Sequence, residues 1–277
     1  MHSLYNFFVK TSNNKIVFIW SMFAFASFLI LLSGIFIKDI YLNIKLDILI
    51  YAYIASMFFT LYQLLTGLSY SHEEGDLSVC YPLSVTGPLY IPFLAYFFIG
   101  EIISFKVFAG VFIIVAGAYI IQLKFVDRKI IFKINLKNMA LWLALIAGFI
   151  YSFGAIIDKI GVGSNYFYIF TSWLVIFMFF NMTINILIRR DMRKIMLSAF
   201  KYSPFRVIIS GFFLFISFFS YRYALQITKI SYAAGVRQIS VLFSVLIGVL
   251  ILKENYGIFR IIGSILILSG IILIKLG

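Results

Sequence analysis

The 277 residues are 63% hydrophobic, 19% aromatic and only 12% charged, against about 25% charged in an ordinary soluble domain. With a mean hydropathy of +1.06, this excludes a water-soluble fold. It also turns the net charge of +13 from a nucleic-acid signal into a topology signal whose partner is the lipid bilayer. The single cysteine, Cys80, excludes an intrachain disulfide and a cysteine metal cluster, and His2 and His72 lie too far apart to form a metal motif.

In chain order, Met1–Lys10 reads as ten residues of helix, about 15 Å or half a bilayer. Apolar runs of spanning length, roughly 20 residues each, then follow at 17–37, 47–70, 77–99, 104–124, 139–158, 165–188, 205–227, 231–252 and 257–276. Runs such as Ile265–Leu266–Ile267–Leu268 lack the alternation of a membrane barrel strand. The expected fold class is an all-α polytopic membrane protein: nine full transmembrane helices plus a short N-terminal half-helix. No small-residue cleavage site follows the first run, so no cleavable signal peptide is read.

Polar residues within these runs are the functional candidates. Asn6 lies in the half-helix and Gln63 in the span 47–70. The span 77–99 carries Tyr81, Ser84 and three prolines, Pro82, Pro88 and Pro92. Proline removes a helix hydrogen bond and bends the helix, which suits either a static kink or a gating helix lining a cavity. Glu101 and Glu254 stand at helix ends, where capping the following helix competes with a proton-coupling role. Tyr151, Asp158 and Lys159 close the span 139–158; Asp158 is read as an interfacial pair with Lys159 or as a partner of Arg222 or Arg237. Tyr221 and Arg222 sit near the end of their span, where a cation is favoured by the helix dipole. Arg237, beside Gln238, is about 9 Å into its run if the helix starts at Ser231. An arginine near a helix centre costs roughly 2.5–3.5 kcal/mol to insert. Its guanidinium either snorkels to the headgroups or faces a cavity and holds an anionic group.

The sequence also repeats itself. Gly100–Gly117, GEIISFKVFAGVFIIVAG, answers Lys253–Gly270, KENYGIFRIIGSILILSG, so that Glu101, Gly110 and Gly117 align with Glu254, Gly263 and Gly270 at one offset. Asp76–Ser84 answers Ser231–Ile239, and Met1–Lys10 lines up with Ile150–Lys159, so the half-helix is either genuine or the end of a helix that begins upstream. This divides the chain into a first repeat, 1–125, a basic connecting loop, 126–138, and a second repeat, 139–277. Tandem units of five helices enter the membrane in opposite directions, the inverted-repeat plan of secondary transporters. The four glycines, seven apart in each copy, read as helix-packing sites.

At this point the chain resembles the EamA-type transporters of the drug/metabolite transporter superfamily. The resemblance rests on Arg237–Ile274, RQISVLFSVLIGVLILKENYGIFRIIGSILILSGIILI, on Tyr81–Pro82–Leu83 and Gly100–Glu101 in the first half, and on Leu4–Trp20 at the helix 1–2 junction. It covers essentially the whole chain. It implies a ten-helix design, a central cavity lined by both repeats, and export or exchange of a small polar metabolite, anionic or zwitterionic, without ATP. The alternatives are a flippase for a lipid-linked headgroup and a non-transporting membrane subunit. No nucleophile–base set, phosphate loop or metal cluster is found, so neither enzyme activity nor a cofactor or metal is expected. The expected setting is the cell (cytoplasmic or inner) membrane, as a monomer or homodimer, with a small-molecule substrate and no nucleic acid.

Charge and resemblance imply opposite orientations. The loops 124–137 and 189–206 hold eleven of the 23 Lys and Arg, which places both in the cytoplasm and the C-terminus outside. The loop with Glu73, Glu74 and Asp76 is read on the other side. The resemblance implies both termini in the cytoplasm.

Overall fold

The computed structural model describes residues 2–35, 45–100, 104–121, 124–126, 129–131, 137–163, 166–227, 230, 233, 237, 239–255 and 257–276. They form an all-α bundle. Helix α1 is His2–Thr11, α2 Lys15–Gly34, α3 Leu46–Ser71, α4 Leu77–Ser84, α5 Gly87–Ile99 and α6 Phe105–Ile120. A small antiparallel hairpin follows, β1 (Lys124–Val126) paired with β2 (Lys129–Ile131). The second half holds α7 (Met139–Val162), α8 (Phe167–Ile188), the short α9 (Arg190–Lys194) and α10 (Ser198–Tyr202), and α11 (Pro204–Ile227). It ends with α12 (Ile239–Leu246), continued by a π-helical turn at Ile247–Ile251, and α13 (Gly257–Lys275).

Among the described residues, seven segments are long and apolar enough to cross a membrane: Lys15–Gly34, Leu46–Ser71, Leu77–Ile99, Met139–Val162, Phe167–Ile188, Pro204–Ile227 and Gly257–Ile274. The other two expected spans, 104–124 and 231–252, are described in part, as the apolar helices Phe105–Ala118 and Ser240–Ile251. Local signals set the ends. Asn14 Oδ1 accepts the Val17 N–H at 3.0 Å to start α2, and Asn138 Oδ1 accepts the Ala140 N–H at 2.9 Å to start α7. Gly100, at φ 75°, closes α5 in the left-handed region.

The proline-bearing span is two helices rather than one kinked helix. It breaks at Val85–Thr86, with Pro88 in the first turn of α5. Pro88 has no N–H for the preceding turn. The side chains of Thr86 and Ser84 satisfy carbonyls there, donating to Leu83 O at 2.8 Å and Tyr81 O at 2.9 Å. Helix α7 packs on the break through Gly148, where an added Cβ would lie 2.7 Å from Thr86 Oγ1.

Helix α3 lies along α7 and α8, α11 along α2 and α1, α4 against α12, and α6 along α13. The α6–α13 seam is glycine on glycine. A Cβ at Gly110 would lie 2.5 Å from Gly270 O, and one at Gly117 2.7 Å from Gly263 O. Only backbone fits at that approach, and the reversed order of contacts makes the two helices antiparallel. Two lysines close helix ends: Lys10 Nζ donates to Tyr70 O (3.2 Å) and Gly75 O (2.7 Å), and Lys159 Nζ donates to Leu225 O (2.9 Å). Tyr70 and Leu225 lie in last helical turns, whose carbonyls lack an intrahelical donor.

The same Lys10 contact corrects the side assigned to the acidic loop. Gly75 is tied to the end of α1, and the α1–α2 turn shares a cavity with Ile195–Arg206. Glu73, Glu74 and Asp76 therefore sit at the same end of the bundle as the basic segment 189–206. Helix α3 returns the chain to the end from which α2 left it.

Candidate functional site

Three helix faces and the start of α1 converge in the middle of the bundle. Helix α3 supplies Phe59, Tyr62 and Gln63, at positions i, i+3 and i+4 of one face. Helix α11 supplies Ser217, Phe218, Tyr221 and Arg222, and α7 supplies Tyr151. His2 and Arg237 complete the wall. The space enclosed is about 10 Å³, room for the centre of a single water.

The guanidinium of Arg237 faces this cavity. It donates to the Tyr151 hydroxyl and lies 4.8 Å from the Tyr151 ring centre and 4.9 Å from that of Tyr221. Two aromatic faces at about 0.5–2 kcal/mol each offset much of the roughly 2.5–3.5 kcal/mol insertion cost. They do so without neutralising the charge. No carboxylate is among the cavity-lining residues.

The second arginine is balanced differently. Arg222 Nη2 lies 2.9 Å from Asp158 Oδ2, and Nε and Nη2 donate to Oδ1 at 3.2 and 3.1 Å. The side chains are 3% and 0% exposed. The guanidinium also packs over Phe218 at 4.8 Å and Phe59 at 5.4 Å. Arg222 is thus an interior cation and not the interfacial helix-end residue expected. Asp158 pairs with it rather than with Lys159, whose ammonium is drawn to Leu225 O. Because Asp158 is committed to Arg222, the two cations divide into one paired and one held by rings.

The other sequence candidates fall into two groups. Gln63, Tyr151 and Tyr221 line the cavity with Arg237. Tyr81, Ser84 and Asn6 are not among its lining residues and are engaged elsewhere: Tyr81 OH with Ser240 Oγ at 2.8 Å, Ser84 Oγ with Tyr81 O at 2.9 Å, and Asn6 between His2 O (2.9 Å) and Tyr70 OH (3.2 Å). Gln238 and Glu101 lie outside the described residues. Sequence reasoning missed His2, Phe59, Tyr62, Ser217 and Phe218. The spacing Ser217, Phe218, Tyr221, Arg222 on α11 and Phe59, Tyr62, Gln63 on α3 was a usable signal, since each set shares one helical face.

Glu254 differs from expectation too. Among the described residues it accepts no N–H from the helix after it. Its carboxylate accepts the N–H groups of Leu77 (2.7 Å) and Ser78 (2.9 Å), capping α4 in the other half of the chain. Arg260, 5% exposed, joins Glu254 at 3.1 Å to Asp76 at 2.6 Å and also touches the Ser78 hydroxyl. Gly248, in the π-helical turn, leaves room for this carboxylate: a Cβ there would lie 2.5 Å from Glu254 Oε2.

A profile of the EamA-like transporter family matches residues 138–276. No curated protein sequence matches significantly. Among solved structures, one protein crystal structure superposes with a TM-score of 0.63 at 13% identity, over 97% of this chain and 90% of that one. At that identity the likeness concerns the fold alone.

Proposed function

Because the chain belongs to the EamA-like transporter family, a family of multi-pass membrane transporters, we propose that it exports or exchanges a small polar metabolite, anionic or zwitterionic, by alternating access. The observation that carries this reading is the Arg237 guanidinium, turned into an interior cavity without a carboxylate among the lining residues. Among the described residues its partners are two rings and a hydroxyl, which leaves this cation ready to take an anionic group. Tyr62, Gln63, Tyr151 and Tyr221 supply the remaining hydrogen bonds. Asp158 acts through Arg222, fixing the wall opposite.

Two inverted repeats, 1–125 and 139–277, are the machinery in this proposal. The packing supports it. Exchange of the two halves turns α3 against α8 into α11 against α2, and leaves α4 against α12 and α6 against α13 unchanged. The contacts Gly110–Gly270 and Gly117–Gly263 map onto each other in the same exchange, and Lys10 and Lys159 close matching helices. A cavity of about 10 Å³ is the occluded stage of such a cycle. It equally describes the sealed interior of a non-transporting membrane subunit, which would not respond to small anions.

Thermal unfolding of the purified protein against a panel of monocarboxylates, amino acids, organophosphates, neutral sugars and organic cations separates the two. A ligand of the folded state raises stability by RT ln(1 + [L]/Kd). Anionic or zwitterionic compounds are expected to raise the Tm of the wild type and not of Arg237→Gln. Shifts by neutral or cationic compounds alone would overturn the substrate class. A flat response to all would favour the subunit.

A further inference from the structure

A second cavity, far larger than the central one, lies at the end of the bundle that carries the basic segment. Its volume is about 370 Å³, within the range of about 300–1,000 Å³ usual for small-molecule sites. Its walls are the end of α1 and the α1–α2 turn, the first turns of α2, the α9–α10 segment, and the start of α11.

The lining is rich in donors and free of acids. Arg206 supplies the charge, and Asn13, Asn14, Ser198, Tyr202 and Ser203 supply amide and hydroxyl groups. Arg206 makes no ion pair with the described residues. The amide oxygen of Asn14 is taken by the Val17 N–H, which leaves its NH₂ as the group to offer a ligand. Arginine with hydroxyl and amide donors is the chemistry of phosphate recognition. Next to these lining residues in the chain, Ile188, Leu197, Tyr202 and Phe205 are each more than 60% exposed, an apolar rim of the kind that can take acyl chains. Five further cations, Arg189, Arg190, Arg193, Lys194 and Lys201, belong to the same segment.

We propose that this cavity is a binding site for a phosphate monoanion or diester, with Arg206 as its charged anchor, distinct from the Arg237 cavity. The apolar rim makes the headgroup of an anionic phospholipid its occupant. A soluble phosphate compound has the same chemistry without the chains. Occupancy would tie the α1–α2 turn to the start of α11, two elements that move relative to each other if the halves rock.

The test is thermal unfolding in neutral detergent with added phosphatidylglycerol, phosphatidylcholine, or glycerol phosphate. Phosphatidylglycerol is expected to raise the Tm by several degrees, and phosphatidylcholine by much less. Arg206→Gln should lose most of that rise while keeping the unliganded Tm, and Arg193→Gln, outside the cavity, should keep it. A rise with glycerol phosphate equal to that with phosphatidylglycerol, lost in Arg206→Gln, would support the phosphate site and assign it to a soluble ligand. A phosphatidylglycerol effect unchanged in Arg206→Gln, or equal for both lipids, would overturn the proposal. None of these outcomes depends on Arg237 or on transport.

Discussion

The Asp158–Arg222 pair gives the sharpest stability test. In Asp158→Leu the guanidinium loses its carboxylate contacts, at 2.9, 3.1 and 3.2 Å, and among the described residues keeps the Phe218 carbonyl at 3.4 Å and the faces of Phe218 and Phe59. Breaking a buried pair from one side costs about 3–5 kcal/mol. The ring contacts survive at about 1–2 kcal/mol, so the loss should fall near 3 kcal/mol. Arg222→Met leaves a wholly buried carboxylate and should cost at least as much. The double variant leaves no charge and fills similar volume, so it should return to within about 1–2 kcal/mol of the wild type. The coupling between the sites is then at least about 3 kcal/mol. Cys80, the single cysteine of the chain, is buried at 0% exposure, so denaturant-dependent labelling by a thiol-reactive dye reports unfolding directly. Additive losses in the double variant, or an Asp158→Leu protein as stable as the wild type, would refute the buried pair.

Three other expectations follow from the geometry. Gly117→Leu or Gly263→Leu forces α6 and α13 apart, since the built Cβ atoms would lie only 2.7 Å from the facing carbonyls; a loss of about 1–3 kcal/mol is expected, read as a lower unfolding midpoint. Glu254→Gln weakens the cap on α4 and leaves the buried Arg260 with Asp76 as its remaining carboxylate partner among the described residues, for a loss of about 1–3 kcal/mol; the matching change at the exposed Glu73 should cost far less in the same assay. The basic end of the bundle carries Arg189, Arg190, Arg193, Lys194, Lys201 and Arg206, and Leu276 sits at the other end, held to Lys106 by its carbonyl at 3.1 Å. A C-terminal reporter active only in the cytoplasm should stay silent; activity would reverse the orientation.

What the sequence made legible is what repeats or stands out locally. Gly110, Gly117, Gly263 and Gly270 could be found because a seam of small residues needs the same spacing in both helices, and the structure puts these four in contact. Arg237 was visible as a charge in an apolar run. Its direction was not, because snorkelling and cavity lining share one sequence and differ in what the neighbouring helices present. Arg222 looked interfacial for the same reason: depth along its own helix places it near an end, whereas Asp158 of another helix decides that it is buried. Glu254 was read within its own turn, yet its partners Leu77 and Ser78 lie in the other half of the chain. The break at Val85–Thr86 was signalled by Pro88, but a kink and a full break differ in local contacts such as those of Thr86 Oγ1 with Leu83 O and Ser84 Oγ with Tyr81 O.

Transport itself is the most direct measurement. Reconstituted into liposomes preloaded with a stabilising anionic compound, the wild type should exchange it for external labelled compound. Arg237→Ala, shown to be folded by the burial of Cys80, should abolish that exchange, and Arg237→Lys should recover part of it. Equal exchange by wild type and Arg237→Ala would contradict the assignment of Arg237 as the anion-binding residue.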